Sequence, residues 1–218
     1  MCSFDIKSLF TNVPLVEVLK ICIDQLYNSD ISPPCFPQDV CYELLKFATT
    51  NVEFSFDNTM YRQIDGVAMG SPLGPILANI FVGFYEDRLF KSAQKPIAYF
   101  RYVDDTFVLF DSKNKIDVFQ AELNKLHDSL VFTKEDEVND SLAFLDVHIE
   151  RNQGSFVTTV HRKSTFTGDY IPWNSFCPTK QKLNLISCLT HRALKICSPS
   201  KLDCEIENIY KLFIFWLS

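Results

Sequence analysis

At the centre of this sequence stands Ala98-Tyr99-Phe100-Arg101-Tyr102-Val103-Asp104-Asp105-Thr106-Phe107-Val108-Leu109-Phe110, in which two carboxylates separate two runs of aromatic and β-branched residues. Two such runs joined by two residues predict a β-hairpin. Asp-Asp is not a preferred pair for this turn, and adjacent negative charges repel each other, so we expect a divalent cation to compensate them. The simpler alternative is that Asp104 and Asp105 are solvated in a surface turn, and the hairpin alone favours that alternative.

Length and composition indicate a globular protein. The chain has 218 residues, enough for one large domain or for one domain with a small appendage. Hydrophobic residues make up 47% and charged residues 22%, which argues against disorder. The apolar runs are too short to span a bilayer, and the N-terminus lacks the features of a secretory signal. We therefore expect no membrane partner.

The cysteines predict neither disulfides nor a zinc site. There are eight, and none forms a CxxC pair or a Cys/His zinc spacing. Most lie on the apolar faces of predicted helices. Reduced core thiols in an intracellular protein are the expected outcome.

Charge is distributed unevenly along the chain, whose net charge is −6. Residues 104–150 hold 12 acidic and 4 basic side chains, a net of −8, whereas residues 160–197 hold 6 basic and 1 acidic side chain, a net of +5. An acidic metal centre beside a basic surface for a polyanion would produce this asymmetry. Chance variation of surface charge would produce it as well.

Hydrophobic periodicity predicts mixed helix and strand structure. The predicted strands are 2–6, 52–56, 60–64, the two arms of the central hairpin, 131–133, 142–149 and 155–161. The predicted helices cover about fifteen residues from residue 15, then 38–49, 72–93, 115–130, 180–197 and 201–216, with a loop at 7–14 and a linker at 30–37. This order predicts an α+β fold in which a mostly antiparallel sheet is backed by helices in the split βαβ arrangement.

A third carboxylate changes the interpretation of the central hairpin. Asp5 lies near the end of the first predicted strand. If that strand neighbours the hairpin, three carboxylates converge, and hard oxygen ligands of this kind suit Mg²⁺. Two Mg²⁺ ions at such a site activate an attacking hydroxyl and stabilise a leaving oxygen. The sequence offers no Ser-His-Asp set and no P-loop as an alternative centre.

Four segments resemble motifs of reverse transcriptases. Ser3-Phe4-Asp5-Ile6-Lys7-Ser8-Leu9-Phe10 resembles the first catalytic motif, and Met69-Gly70-Ser71-Pro72-Leu73-Gly74-Pro75 a later palm motif. Tyr102-Val103-Asp104-Asp105 resembles the Tyr-x-Asp-Asp signature, and Leu142-Ala143-Phe144-Leu145-Asp146-Val147 the primer-grip hairpin. Each motif is weak alone, but four in the right order over residues 3–149 form a specific match.

The amino-acid sequences of these motifs look most like those of Penelope-like retroelements. The similar segments are Asp5-Ile6-Lys7-Ser8-Leu9-Phe10, Gly66-Val67-Ala68-Met69-Gly70-Ser71-Pro72-Leu73-Gly74-Pro75 and Val160-His161-Arg162-Lys163-Ser164-Thr165. The resemblance implies a right-hand polymerase palm at residues 1–150, followed by a connection and a partial, truncated helical thumb at 151–218. It also implies that the fingers subdomain is missing.

The resemblance implies a two-metal catalytic centre. Asp5 and Asp104 would hold both Mg²⁺ ions, with Mn²⁺ as a substitute, while Asp105 supports them and the carbonyl of Ile6 adds a ligand. Lys134 is a candidate proton donor to the pyrophosphate. A surface ion pair with a neighbouring acid is the alternative for that lysine.

The nucleotide-binding residues are implied in the same way. Ser8 and Leu9 would offer backbone N–H groups to the triphosphate. Phe10 would lie under the sugar and exclude a 2′-hydroxyl, although packing in the core explains a Phe here equally simply. Met69 and Gly70 would line the nucleotide pocket. Many reverse transcriptases have Gln at the position of Met69, so a side-chain hydrogen bond there is not expected.

Template and primer contacts complete the implied site. The residues implied are Tyr102; Phe144, Leu145 and Asp146 at the primer end; and Lys180, Lys182, Arg192 and Lys195 along the template–primer backbone. The alternative for the primer-end residues is an ordinary core hairpin. The alternative for the four basic residues is a solvated helix face.

The sequence therefore predicts an RNA-directed DNA polymerase that adds dNTPs to a primer 3′-hydroxyl on an RNA template. The family resemblance implies a retroelement protein that acts in the nucleus. One alternative is a truncated or decayed, inactive retroelement fragment that retains nucleic-acid binding. Another is a different metal-dependent nucleotidyl chemistry, such as that of an RNA-templated RNA polymerase or a cyclase, which Phe10 disfavours.

Overall fold

The structure is a computed structural model that describes residues 1–28, 32–92 and 95–217. The chain forms two compact units. The first covers Cys2–Glu135, and the second runs from Asp136 to the C-terminal end and includes Met1. Within the described ranges, no helix is both long enough and apolar enough to cross a membrane.

The strands and helices follow the predicted order. The strands are β1 (Cys2–Ile6), β2 (Glu53–Phe56), β3 (Thr59–Arg62), β4 (Ala98–Tyr102), β5 (Asp105–Leu109), β6 (Phe132–Asp136), β7 (Ser141–Phe144), β8 (Val147–Asn152) and β9 (Ser155–Val160). The helices are α1 (Leu9–Asn12), α2 (Leu15–Tyr27), α3 (Gln38–Thr49), α4 (Leu73–Ser92), α5 (Lys113–Leu123), α6 (Thr179–Ile196) and α7 (Pro199–Leu217).

The main sheet of the first unit has the strand order β4-β5-β1-β6. Both β4 and β1 pair antiparallel with β5, so the central hairpin and the first strand are neighbours. Side chains alternate along β1, where Phe4 and Ile6 are buried and Asp5 is exposed. The core beneath includes Phe81 of α4 and Phe119 of α5. The predicted antiparallel sheet backed by helices is therefore confirmed.

Two local departures from the predicted elements lie in the first unit, and one of them has a visible cause. Helix α5 ends at Leu123 rather than near residue 130, because the Asn124 side chain bonds the backbone of Phe132. Asn124 Oδ1 accepts from the Phe132 N–H at 2.7 Å, and Nδ2 donates to the Phe132 carbonyl. The predicted loop at 7–14 contains the short helix α1.

The predicted strand 142–149 is two strands. Leu145 adopts a positive φ of 52° and, with Asp146, forms the turn that separates β7 from β8. These strands and β9 form the three-stranded sheet of the second unit. The boundary expected at residue 150 runs through β8, whereas the assignment of 1–150 and 151–218 to palm and thumb stays a prediction. Residues 30, 31 and 93, which the predicted linker and long helix include, lie outside the described ranges.

A close backbone approach requires glycine at the start of α4. A Cβ on Gly74 would lie 2.4 Å from the carbonyl oxygen of Ala68, well inside van der Waals contact. Because glycine has no Cβ, the segment before α4 can fold back against the first turn of the helix at Gly74.

We predict that Gly74→Ala lowers the free energy of unfolding by about 1–3 kcal/mol, since the added methyl forces the backbone apart. Gly70→Ala is the matched control, because a Cβ at Gly70 meets no heavy atom within 4 Å. Urea denaturation of both variants measures the difference. Equal stabilities would show that the approach at Gly74 is not a constraint.

Candidate active site

The central hairpin closes through a two-residue turn formed by Val103 and Asp104, one residue earlier than the predicted Asp104-Asp105 turn, because Asp105 already belongs to β5. Tyr102 and Asp105 are paired across its base. Val103 has a positive φ of 57°, which is unusual for a β-branched residue and costs on the order of 1–3 kcal/mol. Such a conformation persists only where its surroundings impose it. The surroundings therefore hold the turn that carries Asp104 in a strained conformation.

Strand β1 brings Asp5 to this turn. Asp5 is directly opposite Asp105 in the antiparallel register. The N–H of Ile6 donates to the carbonyl oxygen of Asp104 at 3.1 Å, which extends the pairing into the turn itself. The motif that contains Asp5 and the motif that contains Val103 and Asp104 thus meet at one end of the sheet, although Asp5 and Val103 are 98 residues apart in the sequence.

The acidic residues form an electrostatically unfavourable pair. Partial burial, and then the negative charge of Asp104, raise the pKa of Asp5 above its ordinary value. Among the described residues, neither Asp5 nor Asp104 forms an ion pair with Lys or Arg. Their mutual repulsion is therefore not relieved by a basic side chain of the described chain.

Two carboxylates fit Mg²⁺ by their donor chemistry. Mg²⁺ is usually bound through one or two carboxylates and keeps its other positions for water and substrate phosphates. Asp5 and Asp104 supply this number. Within the described ranges, no group of three or more His, Cys, Asp or Glu side chains is arranged to hold a metal ion. A supporting role for Asp105 stays a prediction.

The predicted nucleotide-binding segments are joined by direct backbone contacts. The N–H of Val67 donates to the carbonyl oxygen of Phe10 at 2.7 Å. Gly66 has a positive φ of 78°, and a Cβ there would lie 2.9 Å from the same oxygen. Phe10 is half-buried against the core, and a Cβ on Gly74 would lie 3.9 Å from its ring. The segment before α4 is thus fixed against Phe10.

The other predicted nucleotide-binding residues differ in exposure. Ser8 precedes α1 with a positive φ of 52°, and Leu9 is buried. Met69 is exposed, and the space around Gly70 is open. The structure brings Phe10 together with the segment that carries Met69 and Gly70, as a pocket formed from two motifs requires.

Asp65 is a residue that the sequence patterns did not single out. Its Oδ1 accepts from the N–H of Leu15 at 3.1 Å and from the N–H of Gly66 at 2.8 Å. Pro14 caps α2 without a side-chain hydrogen bond, so Asp65 satisfies this helix terminus from 50 residues away. In the sequence, the only indication of this role is that Asp65 directly precedes Gly66. That position does not reveal the contact with Leu15.

Predicted template and primer residues of the second unit bind partly to each other. Asp146 lies in the β7–β8 turn after the exposed Leu145, and its carboxylate pairs with Arg192 at 3.0 Å. Phe144 ends β7 and is half-buried. In the first unit, Tyr102 is exposed at the base of the central hairpin.

Lys182 does not fit its predicted role as a backbone contact. Only 4% of it is exposed, and its ammonium donates to the carbonyl oxygens of Trp173 and Ser175. It closes the loop before α6 and has no accessible charge for a phosphate. Lys180 and Lys195 are exposed on α6, as a phosphate contact requires.

Lys134, the candidate proton donor, is largely buried and pairs with Asp117. The pair with Asp117 agrees with the alternative of an ion pair for this lysine. The proton-transfer role stays a prediction.

Comparison with known families identifies the first unit. Residues 1–139 match the family model described as reverse transcriptase (RNA-dependent DNA polymerase). The chain belongs to the reverse transcriptase family. Residues 169–215, which include α6 and most of α7, match the animal helix-turn-helix domain. Among curated proteins, none matches the sequence.

Solved telomerase structures share the fold of this reverse transcriptase chain. Telomerase from Candida albicans, in complex with a TWJ fragment of telomeric RNA, aligns with a TM-score of 0.59 and 15% identity over 88% of this chain and 35% of the telomerase chain. The equivalent Candida tropicalis complex gives 0.57 and 12% over 97% and 37%. A truncated apo form from Candida tropicalis gives 0.53 and 14% over 71% and 34%. The chain thus spans about a third of these telomerase chains.

We predict that Asp65→Ala lowers the free energy of unfolding of the reverse transcriptase chain by about 0.5–2 kcal/mol, because the N–H groups of Leu15 and Gly66 lose their acceptor. Asp87→Ala, at an exposed position on α4, is the control and should change stability by less than about 0.5 kcal/mol. Thermal denaturation compares the two. A loss no greater than that of the control would contradict the capping role.

Proposed function

We propose that this chain is a catalytic domain of an RNA-directed DNA polymerase, which adds dNTPs to the 3′-hydroxyl of a DNA primer on an RNA template. The observation that carries the proposal is the pairing of β1 with β5, which brings Asp5 beside Asp104. Membership of the reverse transcriptase family supports a nucleotidyltransferase of this type.

Asp5 and Asp104 are the proposed metal ligands, with the Ile6 carbonyl and Asp105 as additional ones. Two Mg²⁺ ions bound there would activate the primer hydroxyl and stabilise the leaving pyrophosphate. The β1–β5 register and the hydrogen bond from the Ile6 N–H to the Asp104 carbonyl support this assignment, because they hold the backbones of Asp5 and Asp104 next to each other. Two ionised carboxylates this close repel each other, so the site favours a bound cation.

The proposed dNTP site is formed by Ser8, Leu9, Phe10, Met69 and Gly70. The hydrogen bond from the Val67 N–H to the Phe10 carbonyl supports it, because this contact fixes the two segments against each other. The Phe10 ring, which packs against the core, would exclude the 2′-hydroxyl of a ribonucleotide by its bulk. Deoxynucleotide selection would then follow from sterics rather than from a hydrogen bond.

The proposed template–primer contacts on α6 are Lys180 and Lys195, which are exposed on a helix without acidic residues. Phosphate backbones bind such surfaces by charge and release of counterions. Tyr102, Phe144, Leu145 and the Asp146–Arg192 pair remain proposed primer or template contacts. Lys182 is not included, because its ammonium is bound to the backbone.

We also propose that the chain comes from a Penelope-like retroelement and acts in the nucleus. The proposal is supported by the sequences of Asp5-Ile6-Lys7-Ser8-Leu9-Phe10 and of residues 66–75, which resemble motifs of these retroelements. Both segments lie in the part of the chain that matches the reverse transcriptase family.

We predict that Asp104→Asn reduces primer extension on an RNA template by about 100-fold or more, because one metal-binding charge is lost. Asp87→Asn, the same substitution at an exposed position of α4, serves as the control and should extend normally. Circular dichroism checks that both variants fold like the unchanged chain. Extension by Asp104→Asn at the rate of the unchanged chain would contradict the mechanism.

We predict that Phe10→Ala increases ribonucleotide incorporation relative to deoxynucleotide incorporation by about tenfold or more, because the bulk that excludes the 2′-hydroxyl is removed. Phe47→Ala, an exposed aromatic of α3, is the matched control. Single-nucleotide incorporation with dTTP and UTP measures the ratio. An unchanged ratio in Phe10→Ala would remove Phe10 from the sugar-selecting role.

A further inference from the structure

The turn that presents Asp104 is held by a side chain with no proposed contact to substrate. Val103, immediately before Asp104, has a positive φ of 57°. Its carbonyl oxygen accepts a hydrogen bond from Arg101 Nη1 at 3.0 Å. This bond holds the peptide that follows Val103, which is the peptide that sets the direction of Asp104.

The guanidinium of Arg101 is itself fixed on three sides. Its Nε and Nη2 donate to the two carboxylate oxygens of Glu86 at 2.7 and 2.9 Å, a bidentate arrangement that sets both distance and plane. Its Nη1 donates to Asn79 Oδ1 at 2.8 Å in addition to the Val103 carbonyl. Both Arg101 and Glu86 are largely buried. Few donors are left for any other role.

The other end of this network is helix α4. Glu86 and Asn79 both lie on α4, and Glu86 also accepts from the hydroxyl of Tyr99. Arg101 therefore connects the turn of the hairpin to the helix that begins just after the proposed nucleotide segment at residues 69–70. The positive charge of Arg101 is balanced by Glu86, so it acts on the turn through hydrogen-bond geometry rather than by neutralising Asp104.

Stability alone is a weak explanation for such a pair. A buried Arg–Glu pair often contributes little net stability, because the desolvation of two charges offsets their attraction. The hydrogen bond from Arg101 to the Val103 carbonyl suggests another role, because this carbonyl directly precedes Asp104, the proposed metal ligand. Groups that orient ligands control metal affinity.

We propose that Arg101 is a positioning residue, which uses the anchors Glu86 and Asn79 to hold the Val103 turn and so fixes Asp104 for metal binding. This inference rests on the proposed function, because it assumes that Asp104 is a metal ligand. Arg101 does not touch the reacting groups.

The test compares Mn²⁺ affinity and steady-state kinetics in the full chain. Arg101→Lys should weaken Mn²⁺ binding, measured by electron paramagnetic resonance, about tenfold or more. Its kcat for primer extension should fall about 100-fold while KM for dNTP changes less, since a misplaced ligand affects chemistry more than binding. The lysine does not rescue, because one ammonium cannot hold both Glu86 oxygens and the Val103 carbonyl.

Tyr99→Phe is the matched control. It removes a hydrogen bond to the same Glu86 oxygen but leaves the contact with Val103. It should lower thermal stability and keep Mn²⁺ affinity. If Arg101→Lys fails to fold, Asn79→Ala replaces it, because this variant removes only one acceptor from the guanidinium and should still weaken Mn²⁺ binding.

Mn²⁺ affinity that is unchanged in the folded variant, or reduced no more than in Tyr99→Phe, would overturn the positioning role. The proposed function fails separately. If Asp104→Asn keeps both Mn²⁺ affinity and primer extension, Asp104 is not a ligand. A loss in Asp104→Asn together with normal Mn²⁺ binding in Arg101→Lys rejects the positioning role alone.

Discussion

The pairing of β1 with β5, which brings Asp5 next to the turn that carries Asp104, is the constraint on which the candidate site depends. This pairing sets Asp5 opposite Asp105, beside the turn that carries Asp104, and partial desolvation followed by the charge of Asp104 raises the pKa of Asp5. A protein gains nothing in stability from this arrangement, because like charges close together destabilise a fold. In the proposed function, a bound cation and a phosphate substrate would make this arrangement a catalytic centre, and membership of the reverse transcriptase family agrees with that proposal.

Helix α4 organises the surroundings of this centre. At its start, the close approach of Gly74 to Ala68 places the nucleotide segment, which the Val67–Phe10 hydrogen bond fixes against the first motif. Further along, Glu86 binds Arg101, whose guanidinium reaches the turn of the central hairpin. Helix α4 thus lies beside the proposed nucleotide segment and reaches the turn of the proposed metal site through Arg101, so a displacement of α4 would disturb both.

Local patterns in the sequence predicted most elements but not their long-range contacts. The hairpin, its neighbour β1 and helix α3 follow from periodicity and turn chemistry, which act over a few residues. The end of α5 depends on Asn124 binding a strand eight residues later, and the burial of Lys182 depends on loop carbonyls that no periodicity reveals. The anchoring of Arg101 by Glu86 joins residues 15 apart for the same reason.

The most direct test of the shared metal site is a double-mutant cycle on Mn²⁺ affinity with Asp5→Asn, Asp104→Asn and the double variant. If both carboxylates bind the same ion, each single substitution removes most of the affinity and the double variant loses little more. Electron paramagnetic resonance titration measures all four proteins under one condition. Strictly additive losses, or full affinity in either single variant, would contradict the shared site and with it the proposed catalytic centre.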